Sequence, residues 1–280
     1  MTTAPARARD PYRYINEVDQ QTLEALVKRL EFRGRDPVFV GFRDQYLAKV
    51  DWTRVDRILE VGCGTGVVAR SLARWTDFHG DIVATDQSHA LLKVARQLAD
   101  EEGVGQRIQF TEADASSVPL PADSFDLAIA HTIVSHVEDV PAVLRELARL
   151  VKRTGKVVIF DGDYASFAFA HPDAGLARSM EDALVAAVIH QPRVMRDLPS
   201  MLPACGLRIV DVIPQHFAEV GESTFFVGAA EAYSAVIKKA GLADPADVDR
   251  WATDLRVAAD RHIFFGSCTY YSYILATEKN

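Results

Sequence analysis

Short apolar runs alternating with amphipathic stretches constrain this chain more than any other feature. Arg57 to Val61 (RILEV), Asp81 to Asp86 (DIVATD), Arg107 to Phe110 (RIQF), Phe125 to Ala130 (FDLAIA) and Lys156 to Asp161 (KVVIFD) read as strands. Between them, Val67 to Trp75, His89 to Asp100 and Val140 to Val151 read as helices. Strand and helix alternating in sequence imply a parallel sheet covered on both faces, because a crossover must carry the chain back over the sheet. The centre is α/β.

Leu23, Leu26, Val27 and Leu30 recur at helical spacing ahead of that centre, and a second helix through Phe42, Tyr46 and Leu47 follows a break near Gly34 and Pro37. Beyond it, Gly175 to His190 and Arg196 to Cys205 read as helical, and Leu207 to Phe217 as a strand. Ser223 to Leu242 and Pro245 to Arg261 form a further helical block. His262 to Thr277, rich in aromatic and β-branched residues, then suits a buried strand. The organisation expected is an N-terminal helical cap over residues 1–50, a core over 51–218, a helical insertion covering the acceptor over 219–262, and a final core strand over 263–280.

Composition narrows the function. Hydrophobic residues at 49% and charged residues at 25% suit a compact globular chain. With 31 basic and 39 acidic residues the net charge is -8, and no Lys/Arg run makes the basic surface that nucleic-acid backbones or anionic membranes require. Cys63, Cys205 and Cys268 are too few and too scattered for a disulfide framework or a CxxC zinc cluster. No metal is expected. The N-terminus carries no apolar stretch after its basic residues and no window holds 18 consecutive apolar residues, so the expectation is a soluble, cytoplasmic protein.

The segment Glu60-Val61-Gly62-Cys63-Gly64-Thr65-Gly66 lies between the first core strand and its helix. Glycines there allow a sharp bend and close approach of a ligand, and the following helix offers unpaired N–H groups to an anion. Asp86 ends the second strand, where a carboxylate can accept ribose hydroxyls, and Asp114 follows the third. Gly64-x-Gly66-x-x-Ala69 with Asp86 beyond it formally matches the dinucleotide fingerprint, which leaves an NAD-dependent oxidoreductase as one alternative. Glu60 is not required by that fingerprint. None of the eight tyrosines is followed four residues on by lysine, as short-chain reductases need.

ILEVGCGTG resembles the first motif of class I S-adenosylmethionine-dependent methyltransferases, and residues 56 to 163 follow the same order of segments, through VATDQS and LARLVKRTGKVVIFD. The chain is similar to the ubiquinone/menaquinone-type branch acting on small molecules. The resemblance implies a Rossmann-like seven-stranded mixed sheet completed by an antiparallel terminal strand, with S-adenosylmethionine as cofactor and S-adenosylhomocysteine as product. It implies that Gly62, Cys63, Gly64 and Gly66 hold the methionine portion, with Glu60 shaping the loop and balancing an ammonium. It also implies that Asp86 takes the ribose, Gln87 packs by the adenine, Asp114 and Ala115 receive its amino group, and Ala130 with His131 closes the pocket.

The acceptor side is poorer in signals. His131 is read as a base or channel wall, with a backbone contact to the cofactor as its alternative. Asp161 and Asp163 are placed after the fifth strand, Asp163 as a candidate catalytic carboxylate and helix capping as the duller reading. His136 is expected to organise the following helix. Tyr12, Arg13 and Tyr14 are expected to fold over the cofactor as a lid, with a plain tail as the alternative. Phe264, Phe265, Gly266, Tyr270 and Tyr271 are expected mainly in the strand core, and Arg193 on the surface. The expected partner is a small-molecule methyl acceptor in biosynthetic metabolism, offering nitrogen, oxygen or carbon. Neither nucleic acid nor membrane is expected. Oligomeric state stays open, a homodimer included. A protein that binds the cofactor and methylates nothing is the third reading.

Overall fold

The computed structural model describes residues 10–279. Seven strands form one mixed sheet: β1 (Arg57–Val61), β2 (Asp81–Asp86), β3 (Ile108–Glu112), β4 (Phe125–His131), β5 (Val151–Phe169), β6 (Leu207–Gly221) and β7 (Phe264–Thr277). Their order is β3-β2-β1-β4-β5-β7-β6. The first five are parallel, and β7 inserts antiparallel between β5 and β6. This is the seven-stranded Rossmann-like arrangement.

The period of two decides which helices cover which face. Ile58, Ile82, Leu127, Ile129 and Phe160 bury against one core. That core takes in α2 (Pro37–Leu47), α3 (Val67–Ala73), α4 (His89–Glu101), α6 (Ala174–Val188), α8 (Phe225–Lys239) and α9 (Pro245–Asp260). Leu59, Val83, Ala128, Val157 and Ile159 face the other way, onto α5 (Val140–Leu150) and α7 (Val194–Met201). α1 (Gln20–Arg35) ends at Asp36, whose carboxylate accepts the Val38 N–H and caps α2, with Pro37 at its first position.

The fifth strand differs from expectation at both ends. It begins at Val151, directly after α5, and runs through Phe169 because the long β7 keeps pairing with it, Gly162 opposite Tyr270 and Asp163 opposite Thr269. Asp161 and Asp163 therefore lie inside a strand rather than beyond one. β6 likewise runs to Gly221, past the expected Phe217, against the same partner. Among the described residues no helix is long and apolar enough to cross a membrane, and no group of three His, Cys, Asp or Glu side chains could hold a metal ion.

Candidate active site

A cavity of about 750 Å³ opens at the C-terminal ends of β1, β2 and β4, roofed by the N-terminal segment and α1. The glycine loop forms its floor. Gly62, Gly64 and Gly66 have φ of +63°, +56° and +76°, the left-handed region that L side chains avoid. A Cβ on Gly62 would also sit 2.2 Å from Ile133 Cδ1, so this position has neither the conformation nor the room for a side chain.

Two carboxylates hold the loop. Asp86 accepts from the Gly64 N–H at 2.8 Å through one oxygen and from the Ser88 N–H at 2.9 Å through the other. Burial raises its pKa, and these N–H bonds pull it partly back. Glu60 is 2% exposed and accepts from the Ala69 N–H at 2.8 Å, satisfying a donor in the first turn of α3. Burial pushes its carboxyl up to about 8, against the Ala69 bond and with help from the Asp86 charge.

Of the residues expected in the site, Tyr14, Glu60, Gly62, Cys63, Gly64, Asp86, Gln87, Asp114, Ala115 and His131 line this cavity. Gly66 and Ala130 do not. Gly66 caps α3 and faces Phe110 and Ala95, and Ala130 points to the opposite face of the sheet. Asp163 is absent from the cavity wall as well: its Oδ2 accepts from Arg196 Nε at 2.7 Å on the α7 side. Its Oδ1 is buried without a partner, and the structure does not bring this carboxylate to the cavity with the other expected residues. Asp161 is sealed too, accepting from the Ser135 N–H and hydroxyl and from the Gly162 N–H. Asp114 accepts from the N–H and the hydroxyl of Ser116 at 2.7 Å, a local turn at the cavity rim.

The N-terminal segment is tied down. Asp10 Oδ2 lies 2.7 Å from His136 Nδ1, so His136 anchors the segment that runs on from Asp10. Arg13 bonds His190 at 2.7 Å and pairs with Glu138, and Gln87 donates to the Arg13 carbonyl at 3.1 Å. Tyr12, Arg13, Tyr14 and Ile15 thereby form a strap along the cavity. Arg193 is exposed at the start of α7. Phe264 and Tyr270 are core, Phe265 is 38% exposed, and none of the late aromatics lines the cavity.

Several cavity residues escaped the sequence reading, Arg33, Arg43 and Thr132 among them, as did the buried tyrosine behind one of the expected ones. Arg33 on α1 donates to Thr132 Oγ1 at 2.7 Å, and Arg43 on α2 pairs with Asp44. Tyr46, fully buried, meets His131 Nδ1 at 3.0 Å. Burial, followed by the charges of Arg33 and Arg43, holds the His131 ring well below its usual range, so it stays neutral near pH 7. The two arginines flank the predicted break between N-terminal helices, and that break was their only signal.

The cavity wall holds one group fitted to a polar ligand such as a nucleoside. Thr65 Oγ1 in the glycine loop is buried without a hydrogen-bond partner, an orphaned polar atom in the cavity wall.

Residues 59–159 match the family model described as a methyltransferase domain. Over 106 residues the chain is 36% identical to a 2-phytyl-1,4-naphtoquinone methyltransferase of Synechococcus elongatus, covering 38% of this chain and 46% of that protein. The chain thus spans about half the length of such curated relatives. Among solved structures, the YcgJ protein of Bacillus subtilis superposes with a TM-score of 0.58 at 20% identity, over 85% of this chain and 98% of that one. The [4+2]-cyclase SpnF superposes with a TM-score of 0.60 at 18% identity, over 98% and 100%. Residues 59–159 are thus similar to the methyltransferase-domain family, and the sheet that carries them has the Rossmann-like fold of those solved structures.

Proposed function

We propose that this protein binds S-adenosylmethionine in the cavity and transfers its methyl group to a small, partly apolar acceptor, releasing S-adenosylhomocysteine. One observation carries the reading: a loop of three left-handed glycines, held at Gly64 by the Asp86 carboxylate and containing an unpartnered Thr65 hydroxyl, lies at the strand ends where nucleosides bind in doubly wound sheets. When bound, the cofactor supplies an activated sulfonium methyl.

The chain's own residues then have positioning work. Asp86 would accept from the ribose hydroxyls and Asp114 with Ala115 would meet the adenine, while Glu60 and Cys63 shape the glycine loop; all five line the cavity. The strap of Tyr12 to Ile15 excludes water. Orientation of this kind can supply about 7 to 11 kcal/mol of the barrier, more than the roughly 10²- to 10⁴-fold of a general base. A cytoplasmic setting, in keeping with three buried free cysteines, belongs to the same reading.

A fold shared with a [4+2]-cyclase does not by itself dictate methyl transfer, so binding and transfer need separate tests. Equilibrium dialysis should show S-adenosylhomocysteine retained and NAD not retained, and Asp86→Ala should weaken the former by more than about tenfold through loss of two loop contacts. NAD binding instead would replace this reading with a dinucleotide enzyme. Label transfer from methyl-labelled cofactor to candidate acceptors then separates an enzyme from a binding protein.

A further inference from the structure

Three donors meet on the cavity wall, and each keeps a hydrogen that no acceptor among the described residues takes up. Arg33 forms no ion pair among the described residues, unlike Arg43, which has Asp44. One of its five N–H groups goes to Thr132 Oγ1, and the rest have no acceptor among the described residues. The Thr132 oxygen is thus the acceptor of that bond, which leaves its own hydrogen free to donate. Thr132 is held at φ +55°, a conformation costly for a β-branched residue, with its N–H bonded to the Phe160 carbonyl at 2.6 Å. Strain of this kind is kept where the hydroxyl's position matters.

The third donor follows from counting hydrogens. The Tyr46 hydroxyl is fully buried and His131 Nδ1, at 3.0 Å, is its only partner. A buried hydroxyl needs an acceptor for its hydrogen, and Nδ1 is the only one within reach. Tyr46 therefore donates, and the neutral ring carries its proton on Nε2. That nitrogen makes no hydrogen bond and is not sealed among the buried orphans, so it opens on the cavity that His131 lines. The Phe160 ring, stacked 4.5 Å away, fixes the plane.

We propose that Arg33, Thr132 and His131, with Tyr46 as the positioning residue that sets the His131 tautomer, bind an acidic oxygen group of the methyl acceptor, a carboxylate on a small apolar or aromatic body. This rests on the methyltransferase reading and assigns the acceptor's class. His131 becomes a donor in place of the base expected from the sequence. The acidic group is not the attacking atom, because a guanidinium on that atom would favour the ground state over the transition state. Leu30, Phe39 and Ile133 beside Arg33 supply the apolar wall.

Two measurements test it on the full chain. In ¹⁵N-histidine-labelled protein without ligand, the His131 ring, assigned through His131→Asn, should show a protonated Nε2 and an unprotonated Nδ1, and Tyr46→Phe should shift that ratio. A protonated Nδ1 in the unsubstituted protein overturns the proposal. In protein saturated with S-adenosylhomocysteine, calorimetry should show benzoate binding at least about tenfold tighter than benzamide. Arg33→Gln should abolish that preference while leaving S-adenosylhomocysteine affinity within about threefold. Equal binding of the two probes, or no benzoate binding, overturns it. So does an Arg33→Gln loss confined to S-adenosylhomocysteine, which would give the guanidinium to the cofactor's own carboxylate. Failure of S-adenosylhomocysteine to bind at all would instead remove the methyltransferase reading, with the tautomer measured independently.

Discussion

Glu60 shows how one residue couples the cavity to stability. Its carboxyl is pushed from an ordinary 4.5 up to about 8, chiefly by burial, so the folded chain holds a proton that the unfolded chain releases near 4.5. Stability from this group is complete below about pH 4.5, falls as pH rises toward 8, and is level beyond. Asp86, also raised by burial, adds in the same direction. Glu60→Gln should therefore flatten the fall in chemical-denaturation midpoint between pH 5 and 8. An unchanged slope would mean that Glu60 is ionised in the folded chain. The sequence made Glu60 conspicuous by its place before the glycines, yet its bond to Ala69 could be seen only once α3 had folded over it.

At the scale of elements, the strand-to-helix bend concentrates the constraint. Gly62 and Gly103 share nearly the same backbone, φ +63° and +71°, but a Cβ on Gly62 strikes Ile133 while one on Gly103 meets nothing within 4 Å. Gly103→Ala should cost about 1 kcal/mol from the left-handed conformation alone. Gly62→Ala should cost a further 1 to 3 kcal/mol, roughly, from overpacking, and should weaken S-adenosylhomocysteine binding. Thermal melts of the pair separate conformation from crowding. Equal losses would show that Ile133 moves aside freely. Strand and helix alternation was legible because each element carries its own period. Strand ends were not, since β5 and β6 outrun their apolar runs only by pairing with β7.

For the whole molecule, the cavity is roofed because the segment Tyr12 to Ile15 is brought across the sheet's C-terminal edge. Arg13 bonds His190 and Glu138, which stand 177 and 125 residues away in sequence. Arg13→Ala should speed S-adenosylhomocysteine release by about tenfold, an effect of about 1.4 kcal/mol, with little change in melting temperature, as followed by stopped flow. An unchanged release rate would make the strap a covering without a gating role. Net charge of -8 acts at this scale also, setting the overall field rather than any one contact.

By itself the sequence determined the parallel α/β centre, the glycine bend and the acids at neighbouring strand tips, because apolar period, glycine and short-range spacing are local properties. Tertiary structure alone decided that Asp163 turns to Arg196, that Ala130 faces the opposite core, and that Arg33, Thr132 and the Tyr46–His131 pair meet at one wall. Those outcomes depend on strand pairing and on helices crossing from 85 to 99 residues away, separations across which residue spacing carries no directional information.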